Sequence, residues 1–335
     1  MIKVGIIGAG FIGRVHGEVY KKLDNVELIG VADIGKESGM KFAKDFQCQY
    51  YQDALLLIQQ QEVDVIDICL PTYLHEQYVI LAAMNDKHIL CEKPFTLTLD
   101  SAQRMLDVVK KSGVKFMVAQ VLRFWEEYVK TKQFYNHGLL GDIKVLYANR
   151  LGQRPNWNQW FDDTKKSGGG LFDLHLHDID YARYLLGPVQ SVYATGQKGP
   201  SGAWDHVITI MNFVSGAKAY VEGSSLMTQG YPFTMTLRAV GTKGTSEFRF
   251  AGGFNIENKE MAANQFLLYK NDQLPKMIAT EGQDAYFNEI KYFIDCIEQN
   301  IDPKIVTQED SKEVLEIMLG IKKSLETGEV IWFSH

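Results

Sequence analysis

Cysteine is scarce and scattered in this chain: Cys48, Cys69, Cys91 and Cys296 are the whole supply, and none forms a C-x-x-C pair. That spacing excludes a cysteine-paired zinc or redox motif. Cys69 and Cys91 fall inside apolar runs and read as small buried hydrophobes, and the set suits a reducing compartment. Basic clusters are missing as well. The formal net charge is −6 and no Lys/Arg run overrides it, which argues against a nucleic-acid partner. No apolar stretch approaches the roughly 20 residues of a membrane helix. The apolar run at the start has no small-x-small cleavage signal, and Arg14 and His16 interrupt it, so it does not read as a signal peptide. A cytoplasmic protein with no membrane partner is the expectation. Internal repeats and low-complexity linkers are also lacking.

What is present is ordinary in bulk and specific in detail. The 335 residues suggest two domains. Hydrophobic residues make up 46% and charged residues 23%, as in a soluble globular protein. Directly after the apolar run Ile2–Ile7, Gly8, Gly10 and Gly13 stand at the G-x-G-x-x-G spacing. In a dinucleotide site each glycine has a job: Gly8 makes the tight strand-to-helix turn, Gly10 lets backbone approach a pyrophosphate, and Gly13 lets helix pack close on strand. The phosphates would lie on the helix N-terminus, opened by Phe11 and Ile12, where unpaired N–H groups and the helix dipole favour an anion. The motif alone is weak, and its context strengthens it. Val26–Ala32 reads as a second strand ended by Asp33, which lies 20 residues beyond Gly13. A carboxylate there suits the adenosine ribose and repels a 2′-phosphate, which favours NAD. The competing reading is an Asp that only caps the next helix. Lys36, just beyond, leaves NADP use open.

Residues 1–122 alternate strand and helix patterns: helices near Glu37–Phe46, Asp53–Gln60, His75–Met84 and Thr98–Lys111, strands at Val63–Leu70, His88–Cys91 and Val114–Ala119. Such alternation predicts a Rossmann domain, a parallel sheet with helices on both faces, whose ligands bind beyond the carboxyl ends of the strands. Gly8, Asp33, Pro71 and Lys93 all stand at such ends. From residue 123 the pattern changes. Phe124–His137 reads as a helix, then strands dominate: Val145–Leu151, Val189–Thr195, His206–Phe213, Ala217–Ser224, Phe233–Val240, Thr245–Phe250 and Gln265–Tyr269. Residues 123–335 therefore read as an α+β domain on an open antiparallel or mixed sheet. One face of such a sheet needs a cover, so a second copy of the chain is an expected partner. Two C-terminal helices, Ala285–Gln299 and Glu309–Glu326, close the chain and are candidates to pack back on the first domain.

Two clusters carry chemistry. In Glu92-Lys93-Pro94 a strand-end lysine sits between a carboxylate and a rigid proline, placed to offer its ammonium to a substrate oxygen or a nicotinamide ribose; a solvated surface lysine is the alternative. The second is Gly168-Gly169-Gly170 leading into Asp173, His175, His177, Asp178 and Asp180, on a helix stopped by Gly187-Pro188. Asp173 and His177 are four apart and share a helix face, with Asp180 on it too; His175 and Asp178 point elsewhere. A histidine beside a carboxylate suits proton transfer near neutral pH. The three glycines would allow close approach of a cofactor or sugar. A first-turn acid serving only the helix dipole is one alternative; a metal site is another, but no third ligand stands nearby, and no metal is expected.

These marks together resemble the glucose–fructose oxidoreductase / myo-inositol dehydrogenase (Gfo/Idh/MocA) family over essentially the whole chain. The resemblance implies an NAD- or NADP-dependent dehydrogenase acting on a hydroxyl of a sugar, a cyclitol or a related diol. It implies dimers or tetramers built through the C-terminal sheet. For His177 it implies the general acid/base, for Asp173 the substrate-orienting partner, and for Lys93 contact with the substrate hydroxyl. It makes Leu70, Pro71, Thr72, His75 and Glu92 neighbours of the cofactor. Many relatives carry glycine where this chain has His175. Arg123 at the start of the second domain, and Trp157 and Trp160 in the polar loop before the glycines, are candidate substrate contacts, with Tyr231 a weaker one. Two rival functions stay open: a glycoside hydrolase working through transient NAD-dependent oxidation, and a nucleotide sensor without turnover.

Overall fold

The structure is a computed structural model that describes residues 1–154, 159–252 and 263–334. The chain divides into two compact units. The first comprises Met1–Phe124 and Asp284–Leu315; the second comprises Trp125–Gln283 and Glu316–His335. A run of sequence just before the C-terminus thus returns to the first unit.

In the first unit the elements are β1 (Ile2–Ile7), α1 (Phe11–Tyr20), β2 (Val26–Ala32), α2 (Lys36–Phe46), β3 (Gln49–Tyr51), α3 (Ala54–Ile58), β4 (Val65–Ile68), α4 (His75–Met84), β5 (His88–Cys91), α5 (Leu99–Ser112) and β6 (Phe116–Val118). The strands form one parallel sheet in the order β3-β2-β1-β4-β5-β6. The order reverses direction between β1 and β4, the switch point where such sheets bind nucleotides. Helix starts follow local chemistry. Asp53 caps α3 by accepting from Leu55 N–H, and Thr98 caps α5 by accepting from Ser101 N–H. Gly113, at φ +73°, ends α5. β4 and the inner strands are buried on both faces, which is why they read as continuous apolar runs. The three-residue strand β3 was too short to leave a pattern in the sequence.

The second unit opens with α6 (Glu126–Asn136), followed by β7 (Ile143–Leu151), α7 (Thr164–Ser167), a π-helical turn over Leu171–His175 and α8 (Leu176–Leu186). Then come β8 (Val189–Lys198), β9 (Trp204–Phe213), β10 (Lys218–Ser224), β11 (Thr234–Gly241), β12 (Gly244–Ala251), β13 (Ala263–Lys270) and β14 (Lys276–Met277). Helices α9 (Ala285–Glu298) and α10 (Gln308–Thr327) and a last strand β15 (Ile331–Trp332) complete the chain. The sheet is nine-stranded, in the order β14-β13-β12-β11-β7-β10-β9-β8-β15. It is mixed, because β7 and β10 run parallel while their other neighbours are antiparallel. Period-two burial puts Leu146, Ala148, Val221, Leu237 and Phe248 on the face buried within the unit. α6 and α8 meet there through an edge-on pair, Tyr128 and Tyr181, with ring centroids 4.7 Å apart. Among the described residues no helix is long and apolar enough to cross a membrane.

Candidate active site

The glycine turn does what its spacing demands. Gly8 has φ +108°, and a Cβ there would stand 2.3 Å from the Cys69 carbonyl oxygen. A Cβ on Gly13 would meet the Gly8 carbonyl oxygen at 2.0 Å, so helix and strand touch through glycine alone. A Cβ on Gly10, by contrast, would meet nothing within 4 Å. The open position is the one a pyrophosphate needs, and it is the N-cap of α1, where the helix dipole favours an anion. Phe11 is exposed at the helix mouth, while Ile12 packs on the core.

Asp33 closes the turn from the end of β2. Its Oδ2 accepts the Ala9 N–H at 2.7 Å, and its Oδ1 accepts the Gly35 N–H at 2.7 Å and the Ser38 hydroxyl at 3.1 Å. The carboxylate therefore ties the glycine turn to the start of α2. Each oxygen keeps lone-pair capacity for a ligand hydroxyl. These residues fit the dinucleotide that the glycine motif implies.

Leu70, Pro71 and Thr72 follow β4, and Glu92 and Lys93 follow β5, its hydrogen-bonded neighbour. His75 joins the two loops from beneath. Its Nε2 lies 2.8 Å from the Leu70 carbonyl oxygen and its Nδ1 3.0 Å from that of Pro94. The ring is fully buried, so it braces both loops from the interior rather than offering a surface to a ligand. Burial also holds its pKa below the ordinary value, with the carbonyl contacts acting the other way. Glu92 is buried too, and its Oε2 accepts the Lys93 N–H at 3.0 Å. The Lys93–Pro94 peptide is cis.

In the second unit Asp173 lies in the π turn and His177 in the first turn of α8. Such turns are rare and recur at functional sites. Both side chains are half-buried, whereas Asp180, read from spacing as their companion, is fully buried. Asp178 is buried as well and pairs with Arg150, Oδ2 to Nε at 2.9 Å; Tyr128 donates to its Oδ1 at 3.3 Å.

His175 belongs to the core. Its Nε2 lies 2.8 Å from Thr209 Oγ1, and a Cβ on Gly223 would collide with its Nδ1 at 2.6 Å. Burial first, and the nearby His206 second, push its pKa down to about 3. In the unfolded chain a histidine titrates near 6.5. Between those values the unfolded state binds more protons, so stability falls as pH drops through 6.5 toward 3. Comparing the urea stability of wild type and His175→Gln from pH 7 to 4 checks this. The variant should lose up to about 1.4 kcal/mol per pH unit of the slope. Parallel curves would show that His175 does not titrate differently on folding.

Two further features differ from the sequence expectation. The glycine run serves packing within the protein: a Cβ on Gly169 would stand 2.4 Å from that of Ala203, and one on Gly170 would stand 3.1 Å from Asp205 Oδ1, which accepts the Gly170 N–H. Those directions hold protein atoms, so these glycines leave no room there for a sugar. Arg123 is buried, its Nη1 donating to the Ile305 carbonyl at 2.6 Å and to Asp310 Oδ2 at 2.7 Å. Asp310 and Thr307 cap the start of α10 reciprocally, so Arg123 is a structural anchor of the first unit and not a substrate contact. Trp160 lies in a short 3-10 turn, Gln159–Asp162, edge-on to Phe161. Trp157 lies outside the described residues. Sequence reasoning passed over His16, Asp67 and Tyr20, which form a buried network behind Glu92; Asp67, flanked by Val65, Ile66 and Ile68, was the signal.

Comparison with known proteins places the chain in a family. Residues 2–120 match the family described as "Oxidoreductase family, NAD-binding Rossmann fold", and residues 128–247 match the GFO/IDH/MocA C-terminal domain. Inositol 2-dehydrogenase of Rhizobium meliloti is 30% identical over 311 residues, 90% of each chain. The chain belongs to the Gfo/Idh/MocA family. It is an NAD(P)-dependent dehydrogenase with an NAD-binding Rossmann unit. Myo-inositol 2-dehydrogenase of Thermotoga maritima is 29% identical over 333 residues, 97% of this chain and 96% of its own. Levoglucosan dehydrogenase, solved with NADH and L-sorbose, shares the fold at TM-score 0.89 and 24% identity, covering 100% of this chain and 99% of its own. These relatives favour a dehydrogenase over both the glycoside hydrolase and the sensor.

Proposed function

We propose that this Gfo/Idh/MocA member oxidises a secondary hydroxyl of a cyclitol or related sugar. The observation that carries the proposal is the intact set of Lys93, Asp173 and His177 in a chain similar along its whole length to inositol dehydrogenases. His177 takes the proton from the substrate hydroxyl, and Asp173, four residues earlier, orients the substrate and the ring. Lys93 stabilises the negative charge that develops on the oxygen. Bound NAD supplies the hydride acceptor, which the protein only positions. Leu70, Pro71, Thr72 and Glu92 are assigned to shaping its nicotinamide end, and Phe11, Ile12 and the three N-terminal glycines to its phosphates.

The test is absorbance at 340 nm over a panel of inositols, inososes and monosaccharides with NAD and NADP in parallel. Reduction of NAD with one cyclitol supports the reading; release of a glycoside aglycone without NADH would overturn it. In the same assay Asp33→Ser should shift the NAD to NADP ratio of kcat/KM by roughly tenfold or more, since the loss of one repulsive charge is worth about 1.4 kcal/mol or above. An unchanged ratio would remove Asp33 from cofactor choice. The outer face of the nine-stranded sheet is assigned to self-association: Tyr147 and Tyr220 stack there at 5.5 Å, and Val145, Tyr193 and Ile210 are exposed beside them.

A further inference from the structure

The buried network behind Glu92 has no part in the roles assigned above. His16, on α1, and Asp67, on β4, are both 0% exposed. His16 Nδ1 lies 2.8 Å from Asp67 Oδ2, and the Tyr20 hydroxyl donates to the same oxygen at 2.9 Å. The other ring nitrogen, Nε2, is buried with no hydrogen-bond partner, and stands 3.3 Å from Glu92 Oε1. The second oxygen of Glu92 accepts the backbone N–H of Lys93. A continuous line of polar contacts thus runs Tyr20, Asp67, His16, Glu92, Lys93, all within the first unit.

The charge on His16 follows from this geometry. If Nε2 carried no proton, its lone pair would face a carboxylate oxygen at 3.3 Å in a medium without water to screen it. With both nitrogens protonated, Nδ1 donates to Asp67 and the charge on Nε2 stands 3.3 Å from a Glu92 oxygen, an ion pair by distance. The groups facing the ring are Tyr20 on its own helix, Asp67 and Cys69 on and after β4, Glu92 after β5, and the Tyr286 ring on α9 at 6.1 Å. Glu289, also on α9, is fully buried and acts on Tyr20. None of these groups is a cation. Burial works against protonation, but Asp67 and Cys69, through charge and hydrogen bonding together, hold His16 well above its ordinary pKa.

A metal does not explain the cluster. His16, Asp67 and Cys69 offer donor atoms within 4.8 Å of one another. Yet the 2.8 Å between Nδ1 and Oδ2 is a hydrogen-bond length. Two ligands around one tetrahedral zinc stand roughly 3.3 Å apart, from bonds of about 2.0 Å. Burial also pushes the Cys69 thiol strongly up, away from the thiolate a metal needs.

We infer that His16 is a permanently protonated positioning residue: wedged between Asp67 and Glu92, it fixes the Glu92 carboxylate and through it the backbone that presents Lys93 to the substrate. His75 braces the same loop from its far side, through the Pro94 carbonyl. The inference rests on the Lys93 role proposed above. It places the charge that orders the lysine loop two layers below the reacting atoms, where solvent does not titrate it.

The experiment combines spectroscopy with a variant cycle. In ¹⁵N-histidine-labelled protein without substrate, the resonances lost in His16→Gln should show both ring nitrogens protonated from pH 6 to 9. A neutral tautomer in that range would overturn the inference. Turnover is then measured with the panel polyol that wild type uses best, and NADH affinity by fluorescence. His16→Gln should lower kcat roughly tenfold, the scale of one charged hydrogen bond, with NADH Kd held within about twofold. The His16→Gln/Glu92→Gln enzyme should be no slower than Glu92→Gln alone, because the two act in series. Losses that multiply would show that His16 acts independently of Glu92 and would overturn the inference. Lys93→Met separates the two layers. A slow Lys93→Met beside a full-speed His16→Gln overturns this inference alone; a full-speed Lys93→Met overturns the Lys93 role and this inference with it.

Discussion

Replacing His177 with alanine is expected to lower turnover by roughly 10²-fold or more, the usual contribution of a positioned general acid–base. The assignment has a physical basis beyond family likeness. Two histidines stand two residues apart, and only one of them is available to a ligand. His175 is 1% exposed, bound to Thr209 and pushed down to a pKa of about 3, so it stays neutral throughout the working range and cannot reach solvent. His177, the second residue of α8, is half-buried, two positions beyond the π turn that holds Asp173. NADH binding should be unaffected, since the imidazole is assigned to the proton and not to the dinucleotide. Added imidazole should restore part of the rate if the missing group is a base. A His177→Ala enzyme that turned over at the wild-type rate would remove His177 from the mechanism and reopen the sensor reading.

The second large effect concerns stability. Asp178→Asn should destabilise the protein by about 3–5 kcal/mol, the cost of leaving one partner of a buried ion pair without its counter-charge. The Arg150 and Asp178 side chains are 6% and 1% exposed, and they join β7 to the first turn of α8. Arg150 also lies over the Phe233 ring at 5.9 Å, and the Tyr128 hydroxyl contributes to the same carboxylate. Removing the charge strands a buried guanidinium that cannot deprotonate. Urea unfolding measures the loss. Arg150→Met/Asp178→Leu should recover much of it, because an apolar pair of similar volume leaves no buried charge. A loss below 1 kcal/mol for Asp178→Asn would mean that water reaches the pair in solution. Because Asp178 follows His177 directly, the single variant should also slow turnover while the protein remains folded, by loosening the turn that carries the base.

How much was legible in the sequence differs by type of feature. Local patterns were legible because they depend on neighbours in the chain. The glycine spacing announced the turn at Gly8, the caps at Asp53 and Thr98 marked helix starts, and apolar runs marked the parallel strands. Alternation in residues 143–251 marked the strands of the second sheet, though not that β7 and β10 run parallel, since pairing direction joins residues some 70 positions apart. Placement of single charged side chains was not legible. Arg123 reads as a crevice residue from its position at a domain start, yet Asp310, 187 residues later, claims it. The glycine run before Asp173 reads as room for a ligand, yet Ala203 and Asp205 occupy that room.

A nucleotide-binding parallel domain, a second sheet domain, the family, and the residues at strand and helix ends are all readable from the order of residues alone. Those properties follow from periodicity, backbone freedom and capping, which act over a few residues. Tertiary structure alone buries His175 and leaves His177 half-buried, makes Arg123 an anchor, and draws His16 and Asp67 into one buried line with the lysine loop. Each of those outcomes turns on burial and on a charge partner distant in sequence. A buried charge is tolerated only where folding brings it its counterpart, and no local pattern carries that information.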